Sequence, residues 1–312
     1  YDGKVFNSRY KEKSFGGYIG YTGSWGYSHL LLSSYNQEPG LIEGNRDETT
    51  GKFTRTVNEN GTEATAIASG DDYKGINPAI PRQRIEHFKI AADNRFNAGN
   101  GKLDLNIGYQ NNKRKEFGNV LAPNVPDLFF DLNTFTYSLQ YHLPQMSGWQ
   151  TAIGVNGMQQ SNKNKAGEVL IPEYNLFDIG SYMYVQKNFD RFTISGGVRY
   201  DSRAVHSKAL TKDNEIKFEA FNRSFSNISG SAGISYEASK ALTLKFNIAR
   251  GFRAPAIAEL GSNGAHEGTN RYEYGDHSLK SETSLQLDGG IDVNTTHVSL
   301  TASGFVNMID NF

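Results

Sequence analysis

Apolar and polar residues alternate one for one over unusually long runs in this chain, and few folds can use such a strand. In residues 102–111, Leu103, Leu105, Ile107 and Tyr109 alternate with Asp104, Asn106, Gly108 and Gln110. Residues 134–143 repeat the pattern with Phe135, Tyr137, Leu139, Tyr141 and Leu143, and residues 242–249 with Leu242, Leu244, Phe246 and Ile248. It returns in 285–293 and again in 298–308. Successive side chains of a strand point to opposite faces, so each run predicts a strand with one apolar and one polar face. Weaker versions occupy 3–8, 15–23, 27–35, 84–96, 149–159, 174–188, 192–205 and 225–236. In all, about thirteen strands are expected, many about ten residues long. That is the length a tilted strand needs to cross a bilayer. Strands of ordinary globular domains centre on about five or six residues.

The connections alternate as well. Short ones are expected at 9–14, 22–26, 97–101, 144–148, 188–191, 237–240 and 294–296, and long ones at 37–83, 113–131, 160–173, 206–224 and 251–282. After the first, short and long connections take turns. Membrane barrels do this, with short turns on the periplasmic side and long loops outside. Aromatic residues gather near strand ends, among them Phe15, Tyr18, Tyr21, Trp25, Tyr27, Phe129, Phe130, Phe135, Phe189 and Phe192. Interfacial girdles produce such clusters, although aromatic residues favour strands in any case.

Composition removes several alternatives. Only 37% of residues are hydrophobic, and no run approaches the roughly 18 apolar residues a membrane helix needs. A barrel with alternating faces keeps a polar average and is untouched by this argument. The formal net charge of −1 gives no pull toward nucleic acid, and none is expected as a partner. The absence of cysteine excludes disulfides, Cys-ligated zinc, thiolate catalysis and Fe–S clusters. No nucleophile elbow, zinc-protease or phosphate-loop motif occurs. No enzyme activity, cofactor or metal site is expected.

Residues 249–255 read ARGFRAP and residues 278–284 read SLKSETS. The first resembles a signature of TonB-dependent outer-membrane receptors, in which a strand ends in G-F/Y-R-A-P and an extracellular loop begins. The second resembles the family's N-L-K-P-E-T/S segment before the next strand, with Ser281 in place of the usual proline. The stretch between, AELGSNGAHEGTNRYEYGD at 258–276, looks like Bacteroidetes-type versions. The motif likeness covers about 246–312; upstream, the likeness is one of architecture. It implies an all-β, antiparallel transmembrane β-barrel, of which residues 1–312 form part. About thirteen of some 22 strands would be present, without the plug domain or the segment that contacts TonB.

The resemblance also implies function: TonB-coupled uptake of a scarce ligand across the bacterial outer membrane, most often a ferric siderophore or other metal chelate. A passive porin and a TonB-dependent oligosaccharide importer remain alternatives. The partners it implies are TonB, outer-membrane lipid and lipopolysaccharide, a small-molecule chelate, and a surface lipoprotein. Ligand-contact candidates are Arg253, at the strand end, and the loop residues Asn263, His266, Glu267, Asn270, Arg271, Tyr272, Glu273 and Tyr274. Arginine pairs bidentately with carboxylates and phosphates, and tyrosine joins apolar area to a hydroxyl. The same residues can equally pack the loop onto its neighbours, and Arg253 can simply mark a strand end. His266-Glu267 has no second histidine at metal-ligand spacing. The acidic stretch with Asp47, Asp71 and Asp72 reads as solvated charge, and the 113–115 run as a solvated or lipopolysaccharide-facing edge.

Overall fold

A computed structural model describes residues 3–266 and 271–312. The chain opens on β1 (Tyr10–Gly23) and β2 (Gly26–Pro39), after which a small hairpin, β3 (Thr54–Glu59) and β4 (Thr62–Ile67), stands in the loop. Six long strands follow: β5 (Arg82–Ala98), β6 (Gly101–Phe117), β7 (Leu128–His142), β8 (Trp149–Asn164), β9 (Tyr174–Asn188) and β10 (Phe192–Ser207). A second loop hairpin, β11 (Leu210–Lys212) and β12 (Glu215–Phe218), precedes β13 (Asn222–Ser239) and β14 (Leu242–Arg253). The next loop holds a short helix, α1 (Ile257–Gly261), and a hairpin, β15 (Asn263–His266) and β16 (Arg271–Tyr274). Then come β17 (Glu282–Asn294) and β18 (Ser299–Asp310).

The long strands form one antiparallel twelve-stranded sheet in the order β1-β2-β5-β6-β7-β8-β9-β10-β13-β14-β17-β18. Each long strand therefore pairs with its nearest long neighbours in the chain. Because the registers run on without a slip from β1 to β10, each face can be followed laterally. Ile19, Leu30, Ala92, Ile107, Tyr137 and Gly157 form one row. The expected alternation holds: Ile107, Leu244, Phe246 and Ile248 are exposed, with no protein layer over them. An apolar sheet face left bare in this way needs a non-aqueous surround. On the other face, the polar sides of β5 to β10 and the end of β14 border one cavity of about 720 Å³. The sheet thus curls with its polar face inward.

All five connections of nine residues or more lie at one end, and every short turn lies at the other. An aromatic belt marks the short-turn end. Trp25 stacks between Tyr21 (6.2 Å between centroids) and Phe96 (5.6 Å), and Phe192 stacks on Tyr236 at 4.5 Å. The Lys187 ammonium lies 5.5 Å from the Trp149 ring and 5.0 Å from Phe189, as expected of a lysine reaching for the interface.

Two expectations fail at the start of the chain. Residues 3–8 form no strand, and 9–14 is no connection, since β1 begins at Tyr10. The sheet has twelve strands, and the remaining six described strands pair into three short loop hairpins. The reason is Asn7, only 2% exposed. Its amide nitrogen donates to the carbonyls of Leu41 (3.0 Å), Ala79 (3.3 Å) and Pro81 (2.6 Å), and its side-chain oxygen accepts from the Ala79 N–H at 2.8 Å. Phe6 is buried with Phe53 and Ala68 beneath the β3–β4 hairpin. These contacts fold the segment onto the first long loop and satisfy backbone groups of Leu41, Ala79 and Pro81 there.

A candidate ligand-binding mouth and lumen

At the end of β14, Arg253 lies directly opposite Glu282 of β17. Its Nε donates to Glu282 at 2.9 Å, and its two terminal nitrogens donate to Glu259 at 2.8 and 2.9 Å. Glu259 also accepts the Ala256 N–H at 2.7 Å, so one carboxylate satisfies the start of α1 and ties it to the strand. Downstream, Leu260 is fully buried, packed with Tyr174, Leu176, Val205, Phe221, Phe225 and Ala254. Leu176, Val205 and Phe225 are on the same side of their strands as Asp178, Arg203 and Asn227, the cavity side. The loop after β14 therefore turns inward and covers part of the mouth.

Neighbouring loops are stitched to it. Arg223 donates to the carbonyls of His277 and Leu279, the latter at 2.8 Å. Phe221 packs on the His277 ring at 4.4 Å. The Asn263 amide donates to the Lys217 carbonyl at 2.8 Å, and its N–H to the Leu170 carbonyl at 3.0 Å.

The Glu259 carboxyl is held below its ordinary value of about 4.5, chiefly by the Arg253 hydrogen bonds, then by the Ala256 N–H, against a smaller opposing effect of burial. A depressed acid stabilises the fold above its unfolded pKa, and the contribution is lost as pH falls through the lowered folded value. The loop should therefore keep constant mobility from neutral pH down to about 5 and loosen below that. A spin label on Tyr274→Cys, in a chain without native cysteine, reads this mobility. In Glu259→Gln the label should already be loose at neutral pH. Identical pH curves for the two proteins would remove the clamp as the cause.

Below the mouth, charged side chains line the cavity in pairs. Arg203 holds Asp178 with two bonds of 2.8 Å. Arg199 holds Asp201 at 2.7 Å and reaches across to Asn156, also at 2.7 Å. The absence of a side chain at Gly180 makes room for this pair, since a Cβ there would lie 2.1 Å from the Arg199 guanidinium. Toward the short-turn end, Arg95 donates to Asp104 at 2.5 and 2.7 Å, and His142 lies 3.0 Å from the same carboxylate. Tyr182 donates to Gln140 at 2.8 Å. These are mostly paired charges, an aqueous wall that offers hydrogen bonds at many heights.

The sequence candidates divide. Arg253 borders the cavity, but its guanidinium is engaged by two carboxylates. Arg271, Tyr272 and Tyr274 are exposed on the β15–β16 hairpin, with Tyr274 paired to Asn263. The Tyr272 hydroxyl donates to Asn263. Glu273 is half-buried opposite Gly264, and His266 pairs in the backbone with Arg271. Glu267 and Asn270 lie outside the described residues. None of the hairpin residues borders the lumen cavity of about 720 Å³, but Asn263 and Tyr274 line a second cavity of about 730 Å³ in the loops, together with Lys217, Phe218 and His277. The sequence reading missed Asn156, Asp178, Arg199, Asp201 and Arg203. Their signal was the polar phase of the alternation, seen as Arg-x-Asp-x-Arg at 199–203. Among the described residues, no three His, Asp or Glu side chains converge on a metal-sized site.

The family model described as TonB dependent receptor-like, beta-barrel matches residues 4–312. The chain belongs to this family. Solved TonB-dependent receptors and transporters share its fold. The FrpB iron transporter from Neisseria meningitidis (F3-3 variant) aligns with a TM-score of 0.67 at 17% identity, over 98% of this chain and 46% of its own. The siderophore receptor PirA from Acinetobacter baumannii gives 0.66 at 17% identity, over 96% and 43%. The ferric yersiniabactin uptake receptor FyuA from Yersinia pestis gives 0.58 at 12%, over 96% and 45%. At such identities the likeness establishes the fold alone, and the chain spans less than half the length of each. A search among curated proteins finds no match.

Proposed function

We propose that this protein takes part in TonB-coupled uptake across the outer membrane, with a ferric siderophore or another metal chelate as its ligand. The supporting observation is a TonB-dependent receptor barrel whose inward face keeps a polar, charge-lined cavity of about 720 Å³ beneath an inturned loop. Similar folds belong to proteins described as an iron transporter, a ferric yersiniabactin uptake receptor and a copper transporter. Transport of this kind works by differential binding between two states: the ligand is held from outside and released when the contacts rearrange. Guanidinium groups and amides at successive heights suit an anionic chelate that exchanges one set of hydrogen bonds for the next.

Uptake of labelled ferric siderophores and other chelates, by cells carrying the full-length gene with and without TonB, tests the reading. Uptake that disappears without TonB is the expected result. Uptake indifferent to TonB would replace the reading by a passive porin. TonB-dependent uptake of oligosaccharides instead of chelates would overturn the ligand class alone.

A further inference from the structure

The clamp at the end of β14 holds two carboxylates on one cation. The Arg253 guanidinium presents two edges, each with a pair of parallel N–H groups. Glu282 takes the edge formed by Nε and one terminal nitrogen, with the Nε bond at 2.9 Å. Glu259 takes the edge formed by the two terminal nitrogens, at 2.8 and 2.9 Å. The two carboxylates repel each other. Of the three side chains, Arg253 is the one that borders the lumen cavity.

The partners are not held alike. Glu282 stands on β17 in the sheet register, and its side chain is 18% exposed. Glu259 belongs to the five-residue helix α1 in the loop, and its side chain is 40% exposed. The strand carboxylate is a fixed partner and the loop carboxylate a removable one. An ion pair this open to water contributes little to stability, so another anion competes with it readily.

Backbone contacts decide what moves with Glu259. The Asp276 N–H donates to the Glu259 carbonyl at 2.8 Å, and the Gly275 N–H to the Ser262 carbonyl at 2.7 Å. A Cβ on Gly275 would lie 2.4 Å from the Gly261 nitrogen, so the missing side chain lets the hairpin base approach α1 this closely. The β15–β16 hairpin therefore rides on α1. The helix itself is held at one point by the Glu259 carboxylate and at another by buried Leu260.

We propose that Glu259 is an internal stand-in for a ligand carboxylate: an incoming carboxylate takes its edge of Arg253, and the displaced loop carboxylate turns to water. The ligand group offers the same two coplanar oxygens, so no hydrogen bond to Arg253 is lost in the exchange. The Ala256 N–H, which Glu259 also accepts, is left to water. The start of α1 then loosens with its hairpin, while Leu260 keeps the loop attached. An empty site is latched, and a carboxylate-bearing ligand releases the latch where a neutral one does not. The ligand class rests on the proposed uptake of an anionic chelate, but the exchange is measured without transport.

The test uses the full-length protein in detergent, spin-labelled at Tyr274→Cys, with citrate as the probe and choline chloride at equal ionic strength as the control. Citrate should loosen the label along a saturable curve, and chloride should not. In Glu259→Gln the label should be loose without citrate, and calorimetry should show citrate bound roughly five-fold more tightly, the gain from removing an internal competitor held by an exposed ion pair. A folding defect gives no gain in affinity. Asp276→Asn removes a neighbouring charge without freeing an edge of Arg253 and should leave the affinity nearly unchanged. Equal loosening by chloride, an equal gain in Asp276→Asn, unchanged affinity in Glu259→Gln, or no citrate binding to either protein would overturn the exchange. None of these outcomes bears on TonB-dependent uptake, which the cell assay decides.

Discussion

Replacing Ile107 by arginine should remove about 2–4 kcal/mol of stability in a lipid bilayer, the cost of a basic side chain near the midplane of a barrel's outer face. Ile107 lies between Ala92 and Tyr137 in a row apolar on both sides, and it is exposed among the described residues. The neighbouring change, Asn106→Arg, places the same group on the cavity face between Asp93 and Ser138. There it should cost no more than about 1 kcal/mol. Urea unfolding of the full-length protein in phospholipid vesicles measures both. Equal penalties would mean that the two faces meet the same medium, and the barrel reading would fail.

Leu260→Ala should have an effect of similar size but confined to the mouth. The side chain is fully buried among Tyr174, Leu176, Val205, Phe221, Phe225 and Ala254. A buried leucine truncated to alanine costs about 2–5 kcal/mol. The strand ladder does not depend on this contact, so the loss should appear as local opening of the loop. The reporters are the amides of Leu260 and Ser262, which donate to Ala256 and Ala258 at 3.0 Å each. Their hydrogen exchange should accelerate at least about 30-fold, with the sheet amides unaffected. Leu260→Met, which conserves volume, should stay within about 1.5 kcal/mol of the parent. Exchange unchanged in Leu260→Ala would mean that something other than this cluster holds the loop inward.

The sheet was readable because its two faces meet different media, which stamps a period of two on every strand that crosses. The same physics explains where the reading stopped. β6 continues to Phe117, well past the expected loop start. Along Lys113, Arg114, Lys115 and Glu116 both faces meet water or charge, so the alternation vanishes while the hydrogen-bond ladder goes on. Residues 3–8 show the reverse error: a strand-like pattern overridden by Asn7 contacts to residues over seventy positions away. Arg253 was visible through its motif, yet its two partners lie 6 and 29 positions downstream. The register of β14 on β17 brings Glu282 to it, and the inward turn at α1 brings Glu259. The cavity charges, such as Arg199, Asp201 and Arg203, occupy the polar phase of the strands, which has the same pattern whether that face lines a binding cavity or meets bulk water.

Sheet order that copies chain order has a consequence for assembly. Each long strand needs only the one before it as a template, so the wall can be laid down hairpin by hairpin from either end. The same economy makes it unforgiving. A slip of one residue at any short turn would turn every strand laid down afterwards inside out, with lysines and aspartates toward acyl chains and leucines toward water. Two-residue turns such as Ser24-Trp25 and Gly99-Asn100 leave little slack for such a slip. Insertions and lineage-specific change should therefore accumulate in the loops at the other end, where length alters neither phase nor pairing.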